Sequence, residues 1–260
     1  MNRRLAIIKA CLSVSFSRAS AYRADFVLGS VITLVSNILF PIVTVLIYQN
    51  GASFPDWNMW EVLLIQSVYT MSTGFATMTL GGIMWLTMDH IREGSFEVVL
   101  LKPISPLSFL AASSFNLESL SVISGGLIMT IVSLCHLPNV SVMGVLQCSV
   151  LFIAGVMALR GIYIIMAAIT FKWVGNSRIT EIFESIMAFG KYPLGIFPKA
   201  LKGIATFIIP VAMIGYFPAA ALLGRLNVWT FAAIIPCILF MLFGIWLYNK
   251  MIKLYEGVGG

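Results

Sequence analysis

Charged side chains are scarce in this chain. Only 10% of its 260 residues are Asp, Glu, Lys or Arg, whereas 60% are apolar. A soluble domain needs far more polar surface, and the mean hydropathy of +0.98 excludes one. A bilayer core is about 30 Å thick and takes about 20 apolar residues per helical span. The length therefore allows about six spans with short connections and leaves no room for a separate soluble catalytic domain.

The motifs of a catalytic or metal centre are also missing. The chain has two histidines, His90 and His136, and no HExxH or GxSxG motif. No GxxxxGK[ST] phosphate loop occurs, because the Gly190-Lys191 pair is followed by Tyr192. Four cysteines lie among apolar residues without CxxC spacing, which favours structural thiols: Cys11, Cys135, Cys148 and Cys237. We expect no metal and no cofactor on this chain.

The net charge of +6 does not indicate a nucleic-acid partner. Lys and Arg lie at the edges of the apolar runs, where cytoplasmic positive charge orients a membrane protein. We expect a cell-membrane protein with lipid around it and with both termini in the cytoplasm.

The first 25 residues have the pattern of an amphipathic helix. One helical face carries apolar side chains, namely Leu5, Ile8, Leu12, Phe16 and Ala19. The rest of the helix surface carries Arg3, Arg4 and Arg18. Such a helix lies on an anionic cytoplasmic leaflet. A secretory signal peptide is the alternative, but Lys9 interrupts the apolar run and Arg23 follows it.

Four apolar segments before residue 172 are predicted to span the membrane, and they cover 26–49, 60–88, 107–136 and 142–171. The uncharged stretch 119–159 is too long for one span, and its break is predicted at 136–139. The charged loop 89–106 joins the second and third spans on the cytoplasmic side. A capping Ser105 followed by Pro106 predicts a helix start.

The last third of the chain allows two topologies. In one, 203–224 and 228–249 are spans five and six, and the positively charged residues 172–202 stay inside. In the other, 179–196 is a short fifth span, and 197–224 is a re-entrant pair broken by prolines before the last span, 228–249. These prolines are Pro198, Pro210 and Pro218. Irregular backbone at membrane depth needs protein or a water-filled cavity around it, so the second topology makes this segment part of a transport pathway.

Three sequence pieces carry a resemblance to a known family. They are YRADF at 22–26, IREGSFEVVLLKPISPL at 91–107, and KYPLGIFPKALKGIATFIIPVAMIGYFPAAALLG at 191–224. In this order and spacing, the chain resembles the six-span permease subunits of type-2 ATP-binding-cassette (ABC) exporters, most closely the drug and viologen exporter group. The resemblance implies the re-entrant topology, a separate ABC ATPase that holds ATP and Mg, and a second, different permease subunit.

The resemblance also implies a coupling helix in the loop 89–106 that docks on the ATPase. A loop that binds a soluble partner needs charges that the partner can complement. The residues assigned to this surface are Asp89, His90, Arg92, Glu93, Ser95, Phe96 and Glu97. The alternative is an ordinary solvated loop.

Two opposite charges are predicted at one membrane depth. Glu118 and Arg160 each lie eleven positions from the cytoplasmic end of a predicted helix, about 16 Å deep. A charge at that depth is costly, so we expect an intramembrane ion pair between them. Alternatively, Arg160 reaches the lipid headgroups on its own.

A polar stripe marks the predicted fifth span. Glu181, Glu184 and Lys191 lie near one helical face, and together with Tyr216 they could line a path for a cationic amphiphile. An interfacial helix with solvated charges is the alternative.

The pattern as a whole predicts an all-α membrane protein with six transmembrane helices, an N-terminal interfacial helix and a re-entrant pair. Its predicted function is the permease of an ATP-driven exporter that moves a hydrophobic or amphiphilic compound. An ion- or proton-coupled secondary transporter is the alternative, with Glu118, Glu181 and Glu184 as relay groups.

Overall fold

A computed structural model describes residues 3–137, 140–173 and 178–255, and this part of the chain is helical without any strand. The α-helices in chain order are α1 (Arg3–Ala21), α2 (Arg23–Gln49), α3 (Met59–Leu80), α4 (Ile83–Arg92), α5 (Phe96–Leu100), α6 (Pro106–Ser113), α7 (Ser119–Cys135), α8 (Val142–Thr170), α9 (Arg178–Ala188), α10 (Lys199–Gly203), α11 (Tyr216–Leu222) and α12 (Ile234–Met251). Short 3₁₀ segments cover Phe189–Lys191, Leu194–Ile196, Val211–Met213, Val228–Ala233 and Ile252–Leu254, and a π-helical turn covers Ile204–Ile208.

Three helical segments of the described chain are long and apolar enough to cross a membrane, namely Arg23–Gln49, Val142–Thr170 and Thr230–Leu254. A pair of helices, Lys199–Ile208 and Val211–Leu222, is bent by 76° and forms either one broken span or a re-entrant loop. The all-helical fold with apolar spans is thus confirmed, and the count of six spans stays a prediction.

Two of the predicted long helices are broken at positions that face each other. The segment 60–88 ends its first helix at Leu80, and α4 starts after Gly81 and Gly82, two residues of low helix propensity. The segment 107–136 is interrupted between α6 and α7. Ser114 in this gap donates its hydroxyl to the Thr79 carbonyl over 3.2 Å, so the two breaks are joined by a hydrogen bond.

The predicted fifth span is not one continuous helix. Helix α9 ends at Ala188 after eleven residues and is followed by 3₁₀ turns. Tyr192 then lies 6.0 Å from Phe54, which belongs to the connection between α2 and α3. The segment therefore runs from the end of α8 towards the opposite end of the bundle.

Helix α8 forms the centre of the core. Gly161 of α8 lies against α12, where a Cβ atom would come within 3.1 Å of the Met241 backbone. On the other helix, a Cβ atom at Gly244 of α12 would lie 2.9 Å from the Gly161 carbonyl oxygen. Small residues let helix backbones approach closely in a membrane, so this glycine pair sets the α8–α12 contact.

Helix α1 covers most of the predicted interfacial segment and packs on the α6–α7 region. The Ser113 hydroxyl donates to the Cys11 sulfur over 3.7 Å, and the Phe16 ring lies 6.3 Å from that of Phe115. Its location in the lipid interface stays a prediction, and the Leu5 side chain lies outside the described part. The predicted turn at 136–139 also lies partly outside the described residues.

Candidate coupling surface and membrane pathway

The loop 89–106 is largely helical. Helix α4 continues to Arg92, a turn follows, and α5 covers Phe96–Leu100. Gly94 in the turn has φ +67°, a conformation that favours glycine. The predicted helix start after the loop is confirmed, because the Ser105 hydroxyl accepts from the Ser108 N–H at the start of α6.

Four of the seven residues assigned to this surface are exposed, namely Asp89, Arg92, Glu93 and Glu97. The other three are less exposed. Phe96 is fully buried, and His90 and Ser95 are half-buried and share a hydrogen bond of 2.7 Å between Nδ1 and Oγ. Phe96 thus belongs to the core, whereas a contact of His90 and Ser95 with a partner stays a prediction.

Apolar side chains complete the exposed face. Val98 is 54% exposed, Leu100 45% and Leu101 84%, whereas Val99 is buried. Sequence reasoning missed them, because single apolar residues do not stand out in a chain that is 60% apolar. We call the exposed residues the 89–102 surface; they are Asp89, Arg92, Glu93, Glu97, Val98, Leu100, Leu101 and Lys102.

Helix α5 is anchored to the ends of two long helices. The Phe96 ring lies 5.1 Å from Phe171, the residue after α8, and 5.0 Å from Tyr255, which follows α12. Phe171 also contacts Tyr248 of α12 at 5.3 Å. Helix α5 is therefore in direct contact with residues at the ends of α8 and α12.

The structure does not bring Glu118 and Arg160 together. Arg160 donates from Nε and Nη2 to the Thr79 hydroxyl at 3.2 and 3.0 Å. Glu118 directly precedes α7, with its carboxylate beside Gly29 of α2. The depth assigned to Glu118 assumed a continuous helix, and the break before α7 removes that assumption.

The residues assigned to the pathway differ in exposure and in their contacts. Glu181 and Glu184 are exposed on α9, whereas Lys191 is half-buried with its ammonium 4.5 Å from the centre of the Phe40 ring and 5.2 Å from that of Tyr69. Lys191 thus makes cation–π contacts between α2 and α3, where an ammonium is stabilised by the ring faces.

A small cavity of about 50 Å³ lies beside Lys191 and is also lined by Gln66. The Gln66 amide is buried and donates from Nε2 to the Thr44 hydroxyl over 2.7 Å. Its oxygen has no partner among the described residues. The cavity is therefore polar and large enough for water.

Tyr216 lies at the opposite end of the bundle from the 89–102 surface. Its ring lies 5.6 Å from Trp57, and the Arg225 guanidinium lies 4.7 Å from the same Trp57 ring. Arg225 also forms a salt bridge of 2.6 Å with Glu61 and donates to the Asp56 carbonyl. This cluster ties the segment after α11 to the start of α3, so the bent pair returns to the end where α3 begins.

Among the described residues, no three His, Cys, Asp or Glu side chains converge on a site that could hold a metal ion. Two features stand out: the charged and apolar 89–102 surface, which includes the anchored helix α5, and a bent helix pair among apolar spans.

Comparison with known proteins identifies the family. The family model described as ABC-2 family transporter protein matches residues 31–259, which is most of the chain. The comparison with curated proteins gives no match. The match covers the loop 89–106, the bent pair, two of the three apolar spans in full and the first from residue 31 onward. The chain therefore belongs to the ABC-2 family of transporter proteins and is a transport permease of the ABC type, embedded in a membrane through its apolar helices.

Proposed function

We propose that the chain is the membrane subunit of an ATP-driven exporter, and that a separate ABC ATPase docks on the 89–102 surface. In this proposal the ATPase holds ATP and Mg, and this chain supplies the path for a hydrophobic or amphiphilic compound. The family match supports a permease that works with an ABC ATPase.

The observation that carries the proposal is the two-sided character of α5. Its outer side offers one carboxylate, Glu97, and two exposed apolar side chains, Val98 and Leu100, a combination that suits a protein partner. Its inner side places Phe96 and Val99 in the core, at 0% and 1% exposure. A solvated loop has no need of such an anchor, whereas a helix that transmits movement requires one.

The contacts of the bent pair support the re-entrant topology. Met213 at the bend lies against Gly155, in the middle of α8, and Arg225 returns the chain to Asp56 and Glu61. In this topology Lys191 and Tyr216 flank a path beside the bent pair. A second, different permease completes the path on its open side, and both termini lie on the cytoplasmic side of the cell membrane.

The secondary-transporter alternative has less support. Glu181 and Glu184 are exposed on α9, and Glu118 lies in the gap before α7 rather than within a span. A proton relay needs these carboxylates to be close together inside the membrane.

Co-purification from the native host tests the proposal. The tagged chain is extracted in mild detergent, and the proteins bound to it are identified by mass spectrometry. We expect the wild type to recover an ABC ATPase and a second membrane subunit. The variant with Asp89, Arg92, Glu93 and Glu97 replaced by Ala should lose the ATPase alone, and the apolar variant V98S/L101S should do the same.

A control variant replaces Asp56, Lys199 and Lys202 by Ala, since these residues lie outside the 89–102 surface. It should recover both partners. If the wild type recovers no ATPase, the exporter proposal fails; if the 89–102 variants retain the ATPase, its docking site lies elsewhere.

A further inference from the structure

A cavity of about 690 Å³ lies where the α1–α2 junction meets the α6–α7 gap. Ligand pockets commonly have volumes of about 300–1,000 Å³. The lining combines three ionic side chains, Arg18, Asp25 and Glu118, with the aromatic rings of Tyr22 and Phe115. A ligand here would meet both signs of charge beside apolar rings.

The ionic side chains of the cavity are not paired with each other. Throughout the described chain, no salt bridge or hydrogen bond involves the side chains of Arg18, Asp25 or Glu118. The Glu118 carboxylate is half-buried beside Gly29, where a Cβ atom would lie 3.2 Å from Cδ and 3.3 Å from each oxygen. The glycine leaves room for a carboxylate that has no protein partner, and such a group favours a cation from outside the protein.

The cavity lies at the boundary between charged and apolar sequence. Helix α2 carries charges up to Asp25 and none from Phe26 to its end at Gln49. Phe26 and Leu86 supply apolar surface to the same cavity. Such a boundary is expected where lipid headgroups meet acyl chains.

We propose that this cavity binds the headgroup of an aminophospholipid. The ammonium lies between Asp25 and Glu118, and the phosphate is held by Arg18. Two carboxylates against one guanidinium leave a net charge of about −1, which suits an ammonium, and the rings of Tyr22 and Phe115 add cation–π attraction. A guanidinium matches the geometry of phosphate oxygens. An amphiphilic cation without phosphate is the other source of an ammonium, and it would not need Arg18.

Lipid retention by the purified chain tests the proposal without any ATPase, so the result does not depend on the exporter proposal. The protein is equilibrated in nanodiscs with equal amounts of phosphatidylethanolamine and phosphatidylglycerol, extracted, and examined by native mass spectrometry. We expect about fivefold preferential retention of phosphatidylethanolamine, the discrimination that about 1 kcal/mol gives. D25N/E118Q should lose this preference, and R18Q should weaken retention of the phospholipid while dodecylammonium still binds.

The matched control D56N/E97Q removes two carboxylates outside the cavity and should keep the preference. Size-exclusion profiles and helical circular dichroism check that each variant is folded. Equal retention of the two lipids by the wild type, or an unchanged preference in D25N/E118Q, would overturn the site. If dodecylammonium binds the wild type but phosphatidylethanolamine is not enriched, the ligand is a free cation and the lipid assignment is wrong.

Discussion

Arg225 forms a 2.6 Å salt bridge with Glu61 although the two residues are 164 positions apart. The second carboxylate oxygen of Glu61 accepts from the Asn58 N–H at 2.9 Å, so the same side chain caps α3. One carboxylate thus joins the start of α3 to the segment that leaves the bent pair.

We expect R225Q to lower the free energy of unfolding by about 1–2 kcal/mol. A fully buried pair would cost about 3–5 kcal/mol, but the Arg225 side chain is 41% exposed and water screens part of the interaction. Thermal unfolding in detergent measures the change. A double-mutant cycle with E61Q should show coupling between the two positions, and purely additive effects would contradict the pair.

The second prediction concerns the glycine contact between α8 and α12. G161A places a Cβ atom 3.1 Å from the Met241 backbone and should cost about 1–3 kcal/mol through overpacking. The control G125A meets only Leu34 at 3.9 Å and should be neutral or stabilising, because alanine favours helix more than glycine does. If both variants unfold at the same temperature in detergent, the close approach of the helices is wrong.

The sequence predicts structure well where local chemistry decides it. Ser105 and Pro106 mark the start of α6 because a capping hydroxyl and a proline act within one turn. The gap before α7 escaped prediction, since apolar composition continues across it and the hydrogen bond from Ser114 to Thr79 is tertiary. For the same reason, the sequence pointed to Glu118 and Arg160 as a pair, whereas the folded chain pairs Glu61 with Arg225.

Gly94 provides a test of the turn that positions α5. Its φ of +67° strains any residue with a Cβ atom, so G94A should cost about 1 kcal/mol. Under the proposed function, this strain should also weaken ATPase recovery in the co-purification assay. The control G195A has open space and no positive φ, so it should leave both stability and recovery unchanged. Equal behaviour of G94A and the wild type would show that the turn tolerates a side chain.

Substitution of Phe96 should separate binding of the ATPase from the coupling of ATP hydrolysis to transport. In F96L the exposed side of α5 keeps all its residues, but the ring contacts to Phe171 and Tyr255 are lost. We expect the ATPase to co-purify at wild-type levels, while transport per ATP hydrolysed falls severalfold in vesicles that contain the complete complex. The control V98L changes an exposed side chain of the same helix and should keep the ratio. Loss of ATPase binding in F96L would instead make Phe96 part of the docking surface.

The buried amide of Gln66 gives the last prediction. Its Nε2 donates to Thr44, a residue that is 2% exposed, so T44V strands a buried donor and should cost about 1–3 kcal/mol. Replacing both partners, in T44V/Q66L, removes the donor and the unpartnered Gln66 oxygen together and should restore stability close to that of the wild type. Thermal unfolding of the wild type, T44V and T44V/Q66L in detergent measures these differences in stability. A double variant that is no more stable than T44V would contradict this expectation. It would mean that the Gln66 oxygen makes a favourable contact, and a water molecule in the adjacent 50 Å³ cavity would be the candidate partner.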